Sequence, residues 1–136
     1  MMSGMGSRVG IDLTSVSDVR EAVATHGDRY LQRVYTPREL RDCDGDPARL
    51  AGRFAAKEAV IKVLRPRADT ALPWSDIEVV RHAEGWAELR LAGFAAQRAE
   101  HEGLAAFSVS LSHEGDTACA VVLAEGHVEG HVEGRA

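Results

Sequence analysis

The chain has 136 residues, of which 45% are hydrophobic, 27% charged and 5% aromatic; that is one domain with a buried core, and it excludes disordered, collagenous and coiled-coil classes. The net charge of −5 argues against a general nucleic-acid binder, but it is uneven: residues 1–70 carry 12 Lys and Arg against 10 Asp and Glu, residues 71–136 carry 4 against 11. The cations of the first half, among them Arg20, Arg29, Arg33 and Arg41, suit an acidic partner or a phosphate-bearing ligand, and equally read as solvated helix faces.

Val9-Gly10-Ile11-Asp12-Leu13-Thr14 alternates and predicts a first strand, with Val9, Ile11 and Leu13 on one face and Gly10, Asp12 and Thr14 on the other. Ser15 or Ser17 caps a helix running to about His26, and Gly27-Asp28 breaks it. Arg29 to Val34 reads as a short helical turn. Thr36-Pro37-Arg38-Glu39 opens a helix with a capping box, and Cys43-Asp44-Gly45-Asp46 stops it. Pro47 to Leu64 predicts the longest helix, rich in alanine and ended before Pro66. Residues 65–73 are a loop with two prolines and no glycine. Ile77–Val80 and Trp86–Leu91 predict strands, Gly93 to His101 a short helix. Phe107–His113 alternates and pairs with Thr117–Ala124 around the turn Glu114-Gly115-Asp116.

This order predicts an α+β fold, a largely antiparallel sheet packed on the long helix. It fills a single domain over residues 1–125, followed by a disordered tail over 126–136 with a duplicated Gly-His-Val-Glu. No apolar run approaches the ~20 residues of a membrane helix, and the N-terminus lacks a signal-peptide core. Cys43 and Cys119 make no metal-type pair. The expectation is a cytoplasmic protein without nucleic-acid or membrane partners.

Three features carry candidate chemistry. Asp12 is a lone carboxylate on an apolar strand, suited to a metal ion near a strand end, and equally read as facing solvent or accepting a bond from the next helix's N-terminus. On the long helix, Arg53, Lys57 and Ile61 form one stripe, and Leu50, Phe54, Glu58 and Lys62 the next. Glu58 can hold a divalent cation while Arg53, Lys57 and Lys62 neutralise phosphate oxygens; Glu58 and Lys62 are also an ordinary helix-stabilising pair. His113 ends a strand beside a turn, within reach of a ligand or simply exposed. Spacing alone stops at a magnesium-and-phosphate site as one possibility among several.

The order of these segments adds to this reading. Gly10-Ile11-Asp12-Leu13, Tyr35-Thr36-Pro37-Arg38-Glu39-Leu40, Arg49 to Lys62 with its Arg53-Phe54-Ala55-Ala56-Lys57-Glu58-Ala59, Trp74 to Val79, Val109 to His113 and Ala118 to Leu123 follow one another. In this the chain resembles the holo-[acyl-carrier-protein] synthase family of the 4′-phosphopantetheinyl transferase superfamily, over about residues 9–125. The resemblance implies a cytoplasmic, Mg²⁺-dependent transferase that moves the 4′-phosphopantetheine arm of coenzyme A to a serine of an apo acyl carrier protein, releasing adenosine 3′,5′-bisphosphate. It implies a homotrimer with active sites between subunits. It also implies Asp12 and Glu58 as metal ligands and catalytic residues, with Lys62 beside the pyrophosphate. Arg53, Lys57, Lys62, His113 and the adjacent Ser112 are implied as coenzyme A contacts. The proton of the attacking serine goes to a metal-bound water or, through a water, to Glu58. The chain departs from the family pattern at Asp18, where the family usually places a carrier-docking arginine, which leaves Arg20, Arg29, Arg33 or Arg41 for that role. It departs again in the loop 65–73, where the family often has a glycine.

Overall fold

A computed structural model describes residues 6–126; of the predicted tail, Gly126 closes the last strand, and 127–136 lie outside the described residues. Along the chain run β1 (Ser7–Ser15), α1 (Val16–His26), α2 (Asp28–Val34), α3 (Pro37–Cys43), α4 (Pro47–Leu64), a 3-10 turn (Trp74–Asp76), β2 (Ile77–Arg81), β3 (Ala87–Leu91), α5 (Gly93–His101), β4 (Leu104–Glu114) and β5 (Thr117–Gly126).

The helix α4 is the axis of the molecule. The Asp46 side chain caps its first turn by accepting from Ala48 N at 2.9 Å, and Pro47 sits where no backbone donor is needed. Its last turn ends at Arg65 in the left-handed region, φ 49°, a conformation that costs energy without glycine. The Arg98 guanidinium on α5 offsets this by donating to Leu64 O at 3.0 Å and to Arg65 O. The capping box read at Thr36 is present: Thr36 Oγ1 accepts from Glu39 N, and Thr36 N donates back to Glu39 Oε1.

The strands form two antiparallel sheets rather than one, β1-β5-β4 and β2-β3. Both lie against α4 through small residues. Ala118, Ala120, Val122 and Ala124 of β5 are fully buried, as are Ala55, Ala56 and Ala59 of α4, and Val79 of β2 joins Ala55, Ala56 and Ala120 in one apolar cluster. Gly10 marks the closest approach. A Cβ on it would collide with the Ala59 carbonyl oxygen and touch Val63, so β1 reaches the helix only because this residue has no side chain.

That approach decides which face of β1 is inside. The face carrying Gly10, Asp12 and Thr14 turns to α4, and the apolar face stays open: Val9 is 67% exposed, Ile11 53% and Leu13 66%. Val121, opposite Ile11, continues that open face at 38%. Across the sheet, the β4–β5 turn clamps the start of α1. Asp116 accepts from Ser17 N at 2.9 Å and from the Ser15 and Ser17 hydroxyls at 2.8 Å each. Asp116 is therefore more than a turn residue, and it takes the helix-N-terminal role that was one alternative for Asp12.

Candidate active site

Asp12 sits mid-strand in β1, which points it at α4 rather than at solvent; its side chain is 18% exposed. Lys62, in the last turn of α4, meets it there: Lys62 Nζ donates to Ile11 O at 2.7 Å and to Asp12 Oδ1 at 3.2 Å. Thr14 Oγ1 donates to the other oxygen, Asp12 Oδ2, at 3.2 Å. Glu58, one turn before Lys62 on the same stripe of α4, accepts from the Trp74 indole at Oε2, 2.6 Å. Asp12 and Glu58 line one cavity of about 400 Å³ together with Thr14, Ser15, Asp18, Tyr30 and Phe54. The structure thus brings together Asp12, Glu58 and Lys62, which are 46 to 50 residues apart along the chain for the pairs that include Asp12.

The donor set is all oxygen. Among the described residues there is no cluster of three or more His, Cys, Asp or Glu side chains suited to a metal ion. Two carboxylates beside an open cavity fit a hard divalent cation of the Mg²⁺ type, which takes one or two protein carboxylates and completes its shell with water and substrate phosphate oxygens. Glu58 Oε1 has no protein donor among the described residues, so it is free for such use.

Arg53 and Lys57 lie on the neighbouring stripe and go elsewhere. Arg53 is only 7% exposed, and its Nε has no partner among the described residues. It lines a second cavity, of about 320 Å³, with Arg81, Trp86, Ser110 and Leu111. A guanidinium that lines a cavity is suited to a phosphate oxygen. Lys57 corrects the expectation of a coenzyme contact. It is fully buried, and its three donors go to Glu39 Oε1 at 2.7 Å, Trp74 O at 3.1 Å and Ile77 O. None is left for a ligand. Burial holds the Lys57 ammonium below the usual lysine range, against the pull of the Glu39 charge. The Glu39 carboxylate is satisfied as well, accepting from Thr36 N and from Val79 N at 2.7 Å.

Ser112 and His113 point in opposite directions, as neighbours in a strand must. His113 shares a cross-strand row with Ala118 and Thr14, and so lies on the α4 side, exposed. Ser112 shares a row with Cys119 and Leu13, and so lies on the open face. Within one chain Ser112 is turned away from Asp12.

Sequence reasoning passed over Trp74 as a site residue. The signal was present in its rarity, one of two tryptophans, and in its place directly after Pro73. It also passed over the cavity formed beside the site by His26, Arg29, Tyr30, Arg33, Val34, Phe54 and Trp74, about 400 Å³ in volume. Tyr30 and Phe54 belong to both cavities. No helix among the described residues is long and apolar enough to cross a membrane.

Residues 8–122 match the sequence profile of the 4′-phosphopantetheinyl transferase superfamily. The holo-[acyl-carrier-protein] synthase of Chloroflexus aurantiacus is 43% identical over 134 aligned positions, covering 85% of this chain and 95% of that protein. Acyl carrier protein synthase of Mycobacterium tuberculosis is similar in structure, with TM-score 0.71 and 40% identity over 88% of this chain and 96% of the other. Helicobacter pylori holo-[acyl-carrier-protein] synthase, solved in complex with coenzyme A, gives TM-score 0.78 at 26% identity, covering 87% and 100%.

Proposed function

The chain belongs to the 4′-phosphopantetheinyl transferase superfamily, and from that premise we propose that it is a holo-[acyl-carrier-protein] synthase. It transfers the 4′-phosphopantetheine moiety of coenzyme A to a serine of an apo acyl carrier protein. The observation that carries this reading is the meeting of Asp12 and Glu58 at one cavity, with Lys62 bonded to Asp12, inside the segment that the superfamily profile matches.

The reaction is a displacement at the β-phosphorus of the coenzyme. The serine Oγ forms a bond to that phosphorus, the pyrophosphate P–O bond breaks, and adenosine 3′,5′-bisphosphate leaves. Little covalent work falls to the protein, so its contribution is positioning and charge. Asp12 and Glu58 would hold Mg²⁺, which supplies positive charge to the phosphoryl oxygens when bound. Lys62, 54% exposed at its side chain and tethered to Ile11 O, places an ammonium where negative charge gathers on the leaving bisphosphate. Glu58 takes the serine proton through a water. Arg53 holds a coenzyme phosphate at the second cavity, which it lines. His113 contacts the coenzyme from the α4 side of β4.

The cations for the carrier lie on α2. Asp18 stands at the rim of the Asp12 cavity, where it repels an acidic partner. Arg29 and Arg33 flank the adjoining cavity with its aromatic floor of Tyr30, Phe54 and Trp74, so an acidic helix with one apolar side chain fits there and ends beside Glu58. The functional form is a homotrimer. The reason is the open face of Val9, Ile11, Leu13 and Val121, an apolar patch on a sheet that a monomer would leave to water. Ser112 lies on this face, so it meets coenzyme A only at a site shared between copies. The cytoplasm, where coenzyme A and carrier proteins meet, is the setting.

A thermal-shift comparison tests the ligand. With Mg²⁺ present, coenzyme A at a hundredfold excess over its Kd raises the melting temperature by about 5 °C or more, and ATP at the same concentration by much less. Equal shifts from both would point to a general nucleotide site instead.

A further inference from the structure

Trp74 is held more tightly than its place after a nine-residue loop requires. Its indole Nε1 donates to Glu58 Oε2 at 2.6 Å. The ring lies 5.9 Å from that of Phe54, and the Arg33 guanidinium stands over it at 5.7 Å. Its backbone carbonyl accepts from Lys57 Nζ at 3.1 Å, and Lys57 is locked to Glu39 in a pair with no exposure at either side chain. The turn it begins ends at Asp76, whose carboxylate accepts from Phe94 N at 2.9 Å and so ties the turn to α5. Phe54 and Glu58 are one turn apart on α4, so the indole spans the aromatic ring and the carboxylate of a single stripe.

A glutamate on a helix has three rotatable bonds and two equivalent oxygens. Nothing in α4 itself chooses which oxygen faces the Asp12 cavity. The indole chooses: it occupies Oε2 and leaves Oε1 without a protein donor. We propose that Trp74 is a positioning residue for Glu58, and that the buried Glu39–Lys57 pair fixes the tryptophan in turn. A charge pair that never meets substrate thereby sets the direction of a carboxylate that does. Partners of this kind orient metal ligands and change metal affinity by about 10- to 100-fold when removed. The inference rests on the reading of Glu58 as a cation ligand.

Trp74→Phe keeps the ring and its packing and removes only the N–H. Two readouts decide. In the full chain, nitrogen–proton spectra show one indole signal from Trp74 and one from Trp86, and Trp74→Phe identifies the first. Glu58→Gln removes the charged acceptor and is expected to move the Trp74 indole proton upfield. The Trp86 indole, which donates to Glu88 Oε2 at 3.1 Å, is expected to stay in place as the internal control. In carrier modification, Trp74→Phe is expected to raise the Mg²⁺ concentration for half-maximal rate by about tenfold, with kcat at saturating Mg²⁺ falling less than about threefold. An indole proton indifferent to Glu58→Gln would overturn the proposal. So would a Trp74→Phe protein with the wild-type Mg²⁺ requirement, whatever its kcat, since a merely structural tryptophan predicts that result. If the wild-type protein modifies no carrier, the transfer reading fails separately. The shift of the Trp74 indole signal on adding Mg²⁺ with coenzyme A then decides the positioning role, its absence counting against it.

Discussion

Lys57 shows how much one residue's surroundings decide. Its type and stripe on α4 match Arg53 and suit phosphate, but it is fully buried and spends its donors on Glu39, Trp74 and Ile77. Lys57→Met would leave the Glu39 carboxylate charged and unpaired in the core. The expected loss is about 3–5 kcal/mol of unfolding free energy in urea, and Glu39→Gln added to Lys57→Met should recover part of it. A single-variant loss below about 1 kcal/mol would mean that the pair is not the anchor described. No spacing rule could have separated Lys57 from Lys62. The two differ in what lies above them, and that is fixed by where β2 and the Trp74 turn fall on α4.

At the scale of elements, most of the fold was legible. Alternation placed β1, β4 and β5, the capping box placed α3, and alanine content with flanking prolines placed α4. The division into two sheets was not legible, because pairing between strands distant in sequence has no local signal. Which face of β1 lies inside was not legible for the same reason. Three apolar residues on one face ordinarily mark the buried side, yet here Gly10 on the other face makes the contact with α4. Gly10→Ala should therefore cost about 3 kcal/mol or more, since its Cβ meets the backbone of Ala59, which cannot swing aside. Gly52→Ala, where an added Cβ meets nothing within 4 Å, should be neutral or stabilising by about 0.5–1 kcal/mol. Denaturant unfolding of both variants checks the pair; equal effects would contradict the account of how β1 docks.

For the whole molecule, the proposed function makes assembly part of the site, on the open sheet face where Ser112 lies. The wild-type protein should sediment at about 44 kDa, three times the 14.7 kDa chain. Ile11→Glu places a charge at the centre of the open face, opposite Val121. It should yield a folded monomer, by circular dichroism and sedimentation, with carrier modification reduced by about a hundredfold or more. A wild-type monomer, or a monomeric variant of full activity, would contradict the shared site. The sequence pointed to Asp12, Glu58 and Lys62 one by one, and the resemblance supplied their roles. That Asp12 and Glu58 share a cavity and Lys62 reaches Asp12 follows only from β1 crossing α4, and the aromatic and basic cavity beside them only from α2 folding back toward Trp74.

The most direct test of the central claim is the intact mass of an apo acyl carrier protein after incubation with the protein, coenzyme A and Mg²⁺. The account predicts a gain of one phosphopantetheine in the wild type, abolished by a chelator and reduced by about a hundredfold or more in Asp12→Asn and Glu58→Gln. An unmodified carrier, across several carriers and with coenzyme A bound, would contradict the proposed transfer; full modification by either variant at limiting Mg²⁺ would contradict the site.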